Sequence, residues 1–134
     1  MPKQARCETT ILYIEDEPGM IELVRLILAR HDMKVLGALD ADEGIQIMRE
    51  ARPDLVLLDI MLPKRDGWSV FQQVRSDPLL KDVPIIVVTA RSQPSDVILA
   101  RYEAKVDDYL RKPFGPRDIL QSVQKVLARA AQAA

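Results

Sequence analysis

Five residues carry side chains that could do chemistry together: Glu15, Asp16, Asp59, Thr89 and Lys112. The first three are carboxylates with no cation beside them in the chain. Brought together they repel, and a hard divalent cation relieves that repulsion; Mg²⁺ suits a site offering a few carboxylates plus waters. Lys112 adds a point charge for a phosphate, and Thr89 adds a hydroxyl donor. Cation, ammonium and hydroxyl together would surround the equatorial oxygens of a phosphoryl group, whose transfer depends mainly on positioning and charge stabilisation. Asp59 is the natural nucleophile of such a set, because a carboxylate can form an aspartyl phosphate. Taken singly, each residue also has a structural reading. Asp59 could be a turn residue, Thr89 a helix cap and Lys112 a solvated charge. The run Glu15-Asp16-Glu17-Pro18 could be the acidic first turn of a helix, favoured by the helix dipole.

What joins the five is their place along the chain. Three short runs, Ile11 to Ile14, Leu55 to Leu58 and Ile85 to Val88, are apolar at successive positions. That pattern belongs to strands buried on both faces, as in a parallel sheet. Weaker strands are expected at Met33 to Ala38 and Asp107 to Leu110. Helical spacing recurs between them, through Met20, Leu23, Val24, Ile27 and Leu28, through Ile45, Ile47 and Met48, and through Val70, Phe71 and Val74. A fourth helix is expected over Ser95 to Ala104, with Pro94 near its first turn. A fifth runs through Ile119, Leu120, Val123 and Leu127, with Pro116 just inside its start, where proline is tolerated. Strand then helix, five times over, predicts an α/β domain with a parallel sheet and helices on both faces. Glu15, Asp16, Asp59, Thr89 and Lys112 all fall at the C-terminal ends of strands. In an open parallel sheet those ends share one edge, where ligands bind.

The bulk properties narrow the classes. A chain of 134 residues is the size of one domain and can bury a sizeable core. Its formal net charge of −1 supplies no electrostatic drive toward nucleic acid, so no direct nucleic-acid binding is expected. The one cysteine, Cys7, can form neither an internal disulfide nor a zinc site. No apolar run approaches the roughly 18 residues of a membrane span, and the first ten residues lack a signal-peptide core. A soluble, cytoplasmic setting without membrane association is the expectation.

The residues as they stand resemble the receiver domains of two-component response regulators, from Ile11 to about Leu127. ILYIEDEP resembles the family's first strand and acidic pair, and PDLVLLDIMLPKRDGW its phosphorylation-site segment. PIIVVTAR and DDYLRKPF resemble its last two motifs. The resemblance implies a doubly wound, flavodoxin-like sheet of five strands in the order 2-1-3-4-5, with five helices. It implies a tail over residues 1–9, a receiver domain over 10–128, and a helical extension or tail over 129–134. By position, Asp59 is the implied phosphoacceptor. Glu15, Asp16 and Asp59 are the implied Mg²⁺ ligands, with the backbone carbonyl of Met61. Thr89 and Lys112 are the implied phosphoryl-binding pair, and Thr89 and Tyr109 the implied switch. Met61 and Arg91 are implied to tune phosphoryl lifetime, and the Lys112–Pro113 bond is implied to be cis.

The implied function is a switch rather than an enzyme. A histidine kinase or phosphotransfer protein would load Asp59. The face made by the fourth helix, fifth strand and fifth helix would then engage a downstream effector or a second copy of the chain. An alternative is the N-terminal receiver part of a larger DNA-binding regulator, since nothing in this chain reads as a helix-turn-helix. A haloacid-dehalogenase-type hydrolase also uses an aspartate at a strand end, but places a second aspartate two residues on; here that position is Met61, which transfers no proton. The sequence departs from the family's usual pattern at Lys105, where glycine commonly ends the fourth helix. The stretch from Thr89 to Tyr109 is also one residue longer than usual. Partner-contacting residues in that helix are therefore not carried over. His31 reads as a cation at a helix end, Trp68 as packing at a helix start, and the methionines as gap-filling side chains.

Overall fold

The three apolar runs become strands because alternate side chains on each reach two different cores. In the computed structural model, which describes residues 8–90 and 106–133, the elements follow in strict alternation as far as they are described. They are β1 (Thr9–Ile14), α1 (Pro18–Ala29), β2 (Met33–Ala38), α2 (Ala41–Ala51), β3 (Leu55–Asp59), α3 (Gly67–Ser76), β4 (Ile85–Thr89), β5 (Asp108–Arg111) and α4 (Pro116–Ala133). The sheet has five strands in the order β2-β1-β3-β4-β5, and every pair is parallel. That is the doubly wound, flavodoxin-like α/β fold expected from the sequence. Four helices lie among the described residues; the helix predicted over Ser95 to Ala104 falls outside them.

One core holds Leu12, Ile14, Val56, Leu58, Ile85 and Val87 with Ile45 and Met48 of α2 and Val70, Phe71 and Val74 of α3. The other holds Ile11, Tyr13, Leu55, Leu57, Ile86 and Val88 with Ile21, Val24 and Leu28 of α1 and Ile119, Val123 and Val126 of α4. Successive strand residues point to opposite faces, so a strand covered on both sides must be apolar throughout. Each fully buried aliphatic side chain contributes on the order of 1.5–3 kcal/mol. The edge strand β2 is covered less completely: Lys34 is exposed between buried Met33 and Val35.

Local signals set the helix starts. Pro18 opens α1 and Asp40 caps α2, its Oδ1 accepting from the Glu43 amide at 2.9 Å. Asp66 caps α3 by accepting from the Trp68 amide at 2.9 Å. Because α1 begins at Pro18, Glu15 and Asp16 precede the helix and no acidic residue lies in its first turn. The reading of that run as an acidic first turn therefore fails. The fifth strand starts at Asp108, one residue later than predicted. Asp107 is occupied instead as an anchor, accepting from the Ile85 amide at 2.7 Å and from Arg75 at 3.1 Å. Trp68 is buried and packs edge-to-face on Phe71, ring centroids 5.7 Å apart. Among the described residues, no helix is long and apolar enough to cross a membrane.

Candidate functional site

Parallel strands bring their C-terminal ends to one edge, and the reactive side chains stand there. Glu15 follows β1, its amide donating to the Ala38 carbonyl at the end of β2 at 2.9 Å. Asp59 is the last residue of β3 and Thr89 the last of β4. Lys112 follows β5, and its amide donates to the Thr89 carbonyl at 2.7 Å. The Lys112–Pro113 peptide bond is cis. Glu15, Asp59 and Thr89 are buried, whereas Asp16 is exposed at the rim.

Glu15, Asp16 and Asp59 each place a carboxylate oxygen within 4.8 Å of the others. Lys112 Nζ lies between two of them, 2.7 Å from Glu15 Oε1 and 3.1 Å from Asp59 Oδ2. The other oxygen of Asp59, Oδ1, accepts from the Met61 amide at 2.8 Å. Glu15 also accepts from the Tyr13 hydroxyl at 3.0 Å and from the Glu17 amide at 3.2 Å. One lysine thus faces two buried carboxylates, and a third waits at the rim. This excess of negative charge, built from hard oxygen donors, fits a divalent cation bound by Glu15, Asp16 and Asp59.

The electrostatics express that imbalance. Burial pushes Asp59 up to about 6, with Glu15 adding to the rise; the Met61 amide and Lys112 oppose it. Burial also works to raise Glu15, but the hydrogen bond from Lys112, the interaction with Asp59 and the hydrogen bond from Tyr13 overcome it and hold Glu15 below its ordinary value. Burial would lower Lys112, but the two carboxylates outweigh it and hold the ammonium above its usual value. In the absence of a bound cation the pair therefore shares its charge unequally. Glu15 stays ionised against Lys112, and Asp59 is the member that takes a proton.

The loop after Asp59 is shaped by glycine. A Cβ on Gly67 would lie 2.5 Å from Ile60 Cα and 2.7 Å from the Asp59 carbonyl oxygen. Only glycine lets α3 start this close to the strand end. Within the loop, Met61 pairs with Asp66 across an antiparallel bridge, leaving the Met61 side chain exposed. Tyr109, opposite Val87 in the sheet register, is 43% exposed on β5. Arg91 lies outside the described residues. The structure thus gathers Glu15, Asp16, Asp59 and Lys112 into direct contact or near contact. Thr89 joins them through the backbone, and Tyr109 is exposed on the edge strand β5. Tyr13 escaped the sequence reading; its only signal was a polar tip within an apolar strand, two residues before Glu15.

The family model for the response regulator receiver domain matches residues 11–124. The transcriptional regulatory protein ResD of Bacillus subtilis is 39% identical over 125 residues, covering 93% of this chain and 50% of that protein. The alkaline phosphatase synthesis transcriptional regulatory protein PhoP, also of Bacillus subtilis, is 37% identical over 124 residues, covering 92% and 50%. The chain spans about half the length of these curated relatives. Among solved structures, a putative response regulator from Chloroflexus aurantiacus superposes with a TM-score of 0.82 at 34% identity, over 91% of this chain and 99% of that one.

Proposed function

The chain belongs to the response regulator receiver family, whose domains are signalling switches, and from that premise we propose that Asp59 is the residue it phosphorylates. The observation that carries this reading is the buried Asp59 carboxylate at the C-terminal edge of β3, 3.1 Å from Lys112 Nζ and grouped with Glu15 and Asp16. The phosphoryl donor is a phosphohistidine of a sensor kinase or phosphotransfer protein. An Asp59 oxygen forms the new bond to phosphorus as the donor's bond to phosphorus breaks, and the histidine leaves with its electron pair and takes up a proton. Hydrolysis of the aspartyl phosphate resets the switch.

The chain's own groups divide the work. Lys112 is drawn toward the phosphoryl oxygens from its place beside Asp59, and the Thr89 hydroxyl donates to one of them. The Met61 amide keeps Asp59 oriented. Glu15, Asp16, Asp59 and the Met61 carbonyl would hold Mg²⁺, which when bound neutralises charge on the transferring group. The side chains of Met61 and Arg91 govern access of the water that ends the phosphorylated state.

Output runs from Thr89 to Tyr109. Movement of the Thr89 hydroxyl toward the phosphoryl group frees space into which exposed Tyr109 turns, shifting a population between two states. The responding face comprises the predicted Ser95–Ala104 helix, β5 and α4, and it engages an effector or a second copy. A larger protein with a DNA-binding effector is a second reading, favoured by the names of ResD and PhoP and by their doubled length. In either case the receiver acts in the cytoplasm and does not itself touch nucleic acid. Incubation with acetyl phosphate and Mg²⁺ tests the reading by intact mass. One base-labile phosphoryl group is expected on the wild-type chain and none on Asp59→Asn, whose amide is no nucleophile. Equal labelling of the two would overturn the assignment.

A further inference from the structure

Tyr13 is the one residue with a polar tip in the run Ile11-Leu12-Tyr13-Ile14, and it has no exposed surface. Its ring belongs to the core between the sheet and the α1 and α4 helices. A phenylalanine ring would fill that space equally well, so it is the hydroxyl that calls for an explanation. Burying a hydroxyl is costly unless it finds a partner. Its partner here is Glu15 Oε1, at 3.0 Å.

Side chains two apart on a strand share a face, so Tyr13 stands directly below Glu15 as the chain leaves β1. The bonds to Glu15 are divided between its oxygens. Oε1 accepts from the Tyr13 hydroxyl and from Lys112 Nζ at 2.7 Å, while Oε2 accepts from the Glu17 amide at 3.2 Å. Lys112 is shared with Asp59. The Tyr13 hydroxyl is shared with no other side chain among the described contacts. It is also the donor mounted inside the sheet, on β1 between β2 and β3.

We infer that Tyr13 is a positioning residue for the cation site, its hydroxyl fixing the Glu15 carboxylate in the orientation that faces Asp16 and Asp59. The inference rests on the reading of Glu15 as a cation ligand. A glutamate has more rotatable bonds than an aspartate and loses more freedom when held in one place. A donor beneath it supplies that constraint before the cation arrives. Groups that hold a metal-binding carboxylate by hydrogen bonds commonly govern affinity by 10–100-fold when removed.

The test is Mg²⁺ binding by titration calorimetry at neutral pH on four proteins: wild type, Tyr13→Phe, Glu15→Asp and the double variant. Thermal melts with and without Mg²⁺ accompany each. Tyr13→Phe keeps the ring and is expected to weaken Mg²⁺ binding by about tenfold and to shrink the Mg²⁺-induced melting shift. In the Glu15→Asp background the shorter carboxylate withdraws from the hydroxyl, so adding Tyr13→Phe is expected to change the dissociation constant less than about twofold. A purely structural tyrosine would move the melting temperature equally with and without Mg²⁺ and leave affinity unchanged. That result, or an equal loss in both backgrounds, overturns the inference while the proposed function stands. Absence of saturable Mg²⁺ binding by the wild-type chain would overturn both.

Discussion

Replacing Asp59 by asparagine is expected to make the metal-free protein more stable, although it removes the proposed phosphoacceptor. Asp59 is 3% exposed, and burial with the neighbouring Glu15 raises its carboxyl to about 6. An unfolded aspartate titrates near 3.9. The folded state therefore holds the proton more tightly than the unfolded state. Below about pH 4 both states are protonated and Asp59 costs nothing. As pH rises through the window from about 4 to 6, the unfolded chain releases the proton that the folded state still holds, and stability falls. Above about pH 6 the full penalty is present: roughly two pH units, or on the order of 3 kcal/mol. Asparagine removes the charge and can still accept from the Met61 amide, but it loses attraction to Lys112. A net gain of roughly 1–3 kcal/mol follows, which for a domain of this size raises the melting temperature by roughly 3–10 °C. Thermal melts in chelator at pH 7.5 and pH 4.5 are the assay. The gain should be largest at pH 7.5 and fall to about a third at pH 4.5, where much of the wild-type Asp59 is already protonated in the folded state. A less stable Asp59→Asn protein at pH 7.5, or a gain indifferent to pH, would refute the electrostatic account of the site.

Three further outcomes follow from the same geometry. Lys112→Met should leave Glu15 and Asp59 buried without their cation and destabilise the metal-free protein by about 3 kcal/mol; urea melts should show much of that loss recovered by saturating Mg²⁺. Because a cation needs the ionised pair, Mg²⁺ affinity should fall as pH drops through about 6, the Asp59 value, with close to one proton released per ion below it; calorimetry in buffers of different ionisation enthalpy reads this, and a pH-independent affinity would count against Asp59 as a ligand. Gly67→Ala places a methyl 2.5 Å from Ile60 Cα and 2.7 Å from the Asp59 carbonyl, so it should cost about 1–3 kcal/mol in a denaturant melt and slow labelling by acetyl phosphate, whereas unchanged labelling would show that α3 can retreat without disturbing Asp59.

The sheet was legible because its central strands are buried on both faces, which forces an unbroken apolar run at Ile11–Ile14, Leu55–Leu58 and Ile85–Val88. Once those strands are parallel, the residues that follow them must meet at one edge, and Glu15, Asp59 and Lys112 do. The start of β5 was harder to read. Asp107 and Asp108 are alike in sequence, but Asp107 anchors Ile85 and Arg75, while Asp108 enters the strand and binds Ser122 of α4 at 2.6 Å. Only the tertiary partners tell the two apart. The acidic run at Glu15 read equally as a helix start or a cation site, until Pro18 was seen to open the helix after it. Tyr13 was hidden by its surroundings, since a ring in an apolar strand reads as packing and its hydroxyl partner appears only with the direction of the Glu15 side chain.

Chemical trapping of the phosphorylated residue tests the central claim most directly. After exposure to acetyl phosphate and Mg²⁺, borohydride reduces an aspartyl phosphate to homoserine, and peptide mass spectrometry locates the converted residue. Conversion of Asp59, dependent on both phosphodonor and Mg²⁺ and not found at Glu15, Asp16 or Asp66, is the result the account predicts. Conversion at another carboxylate with Asp59 untouched, or none in a folded chain that binds Mg²⁺, would contradict it.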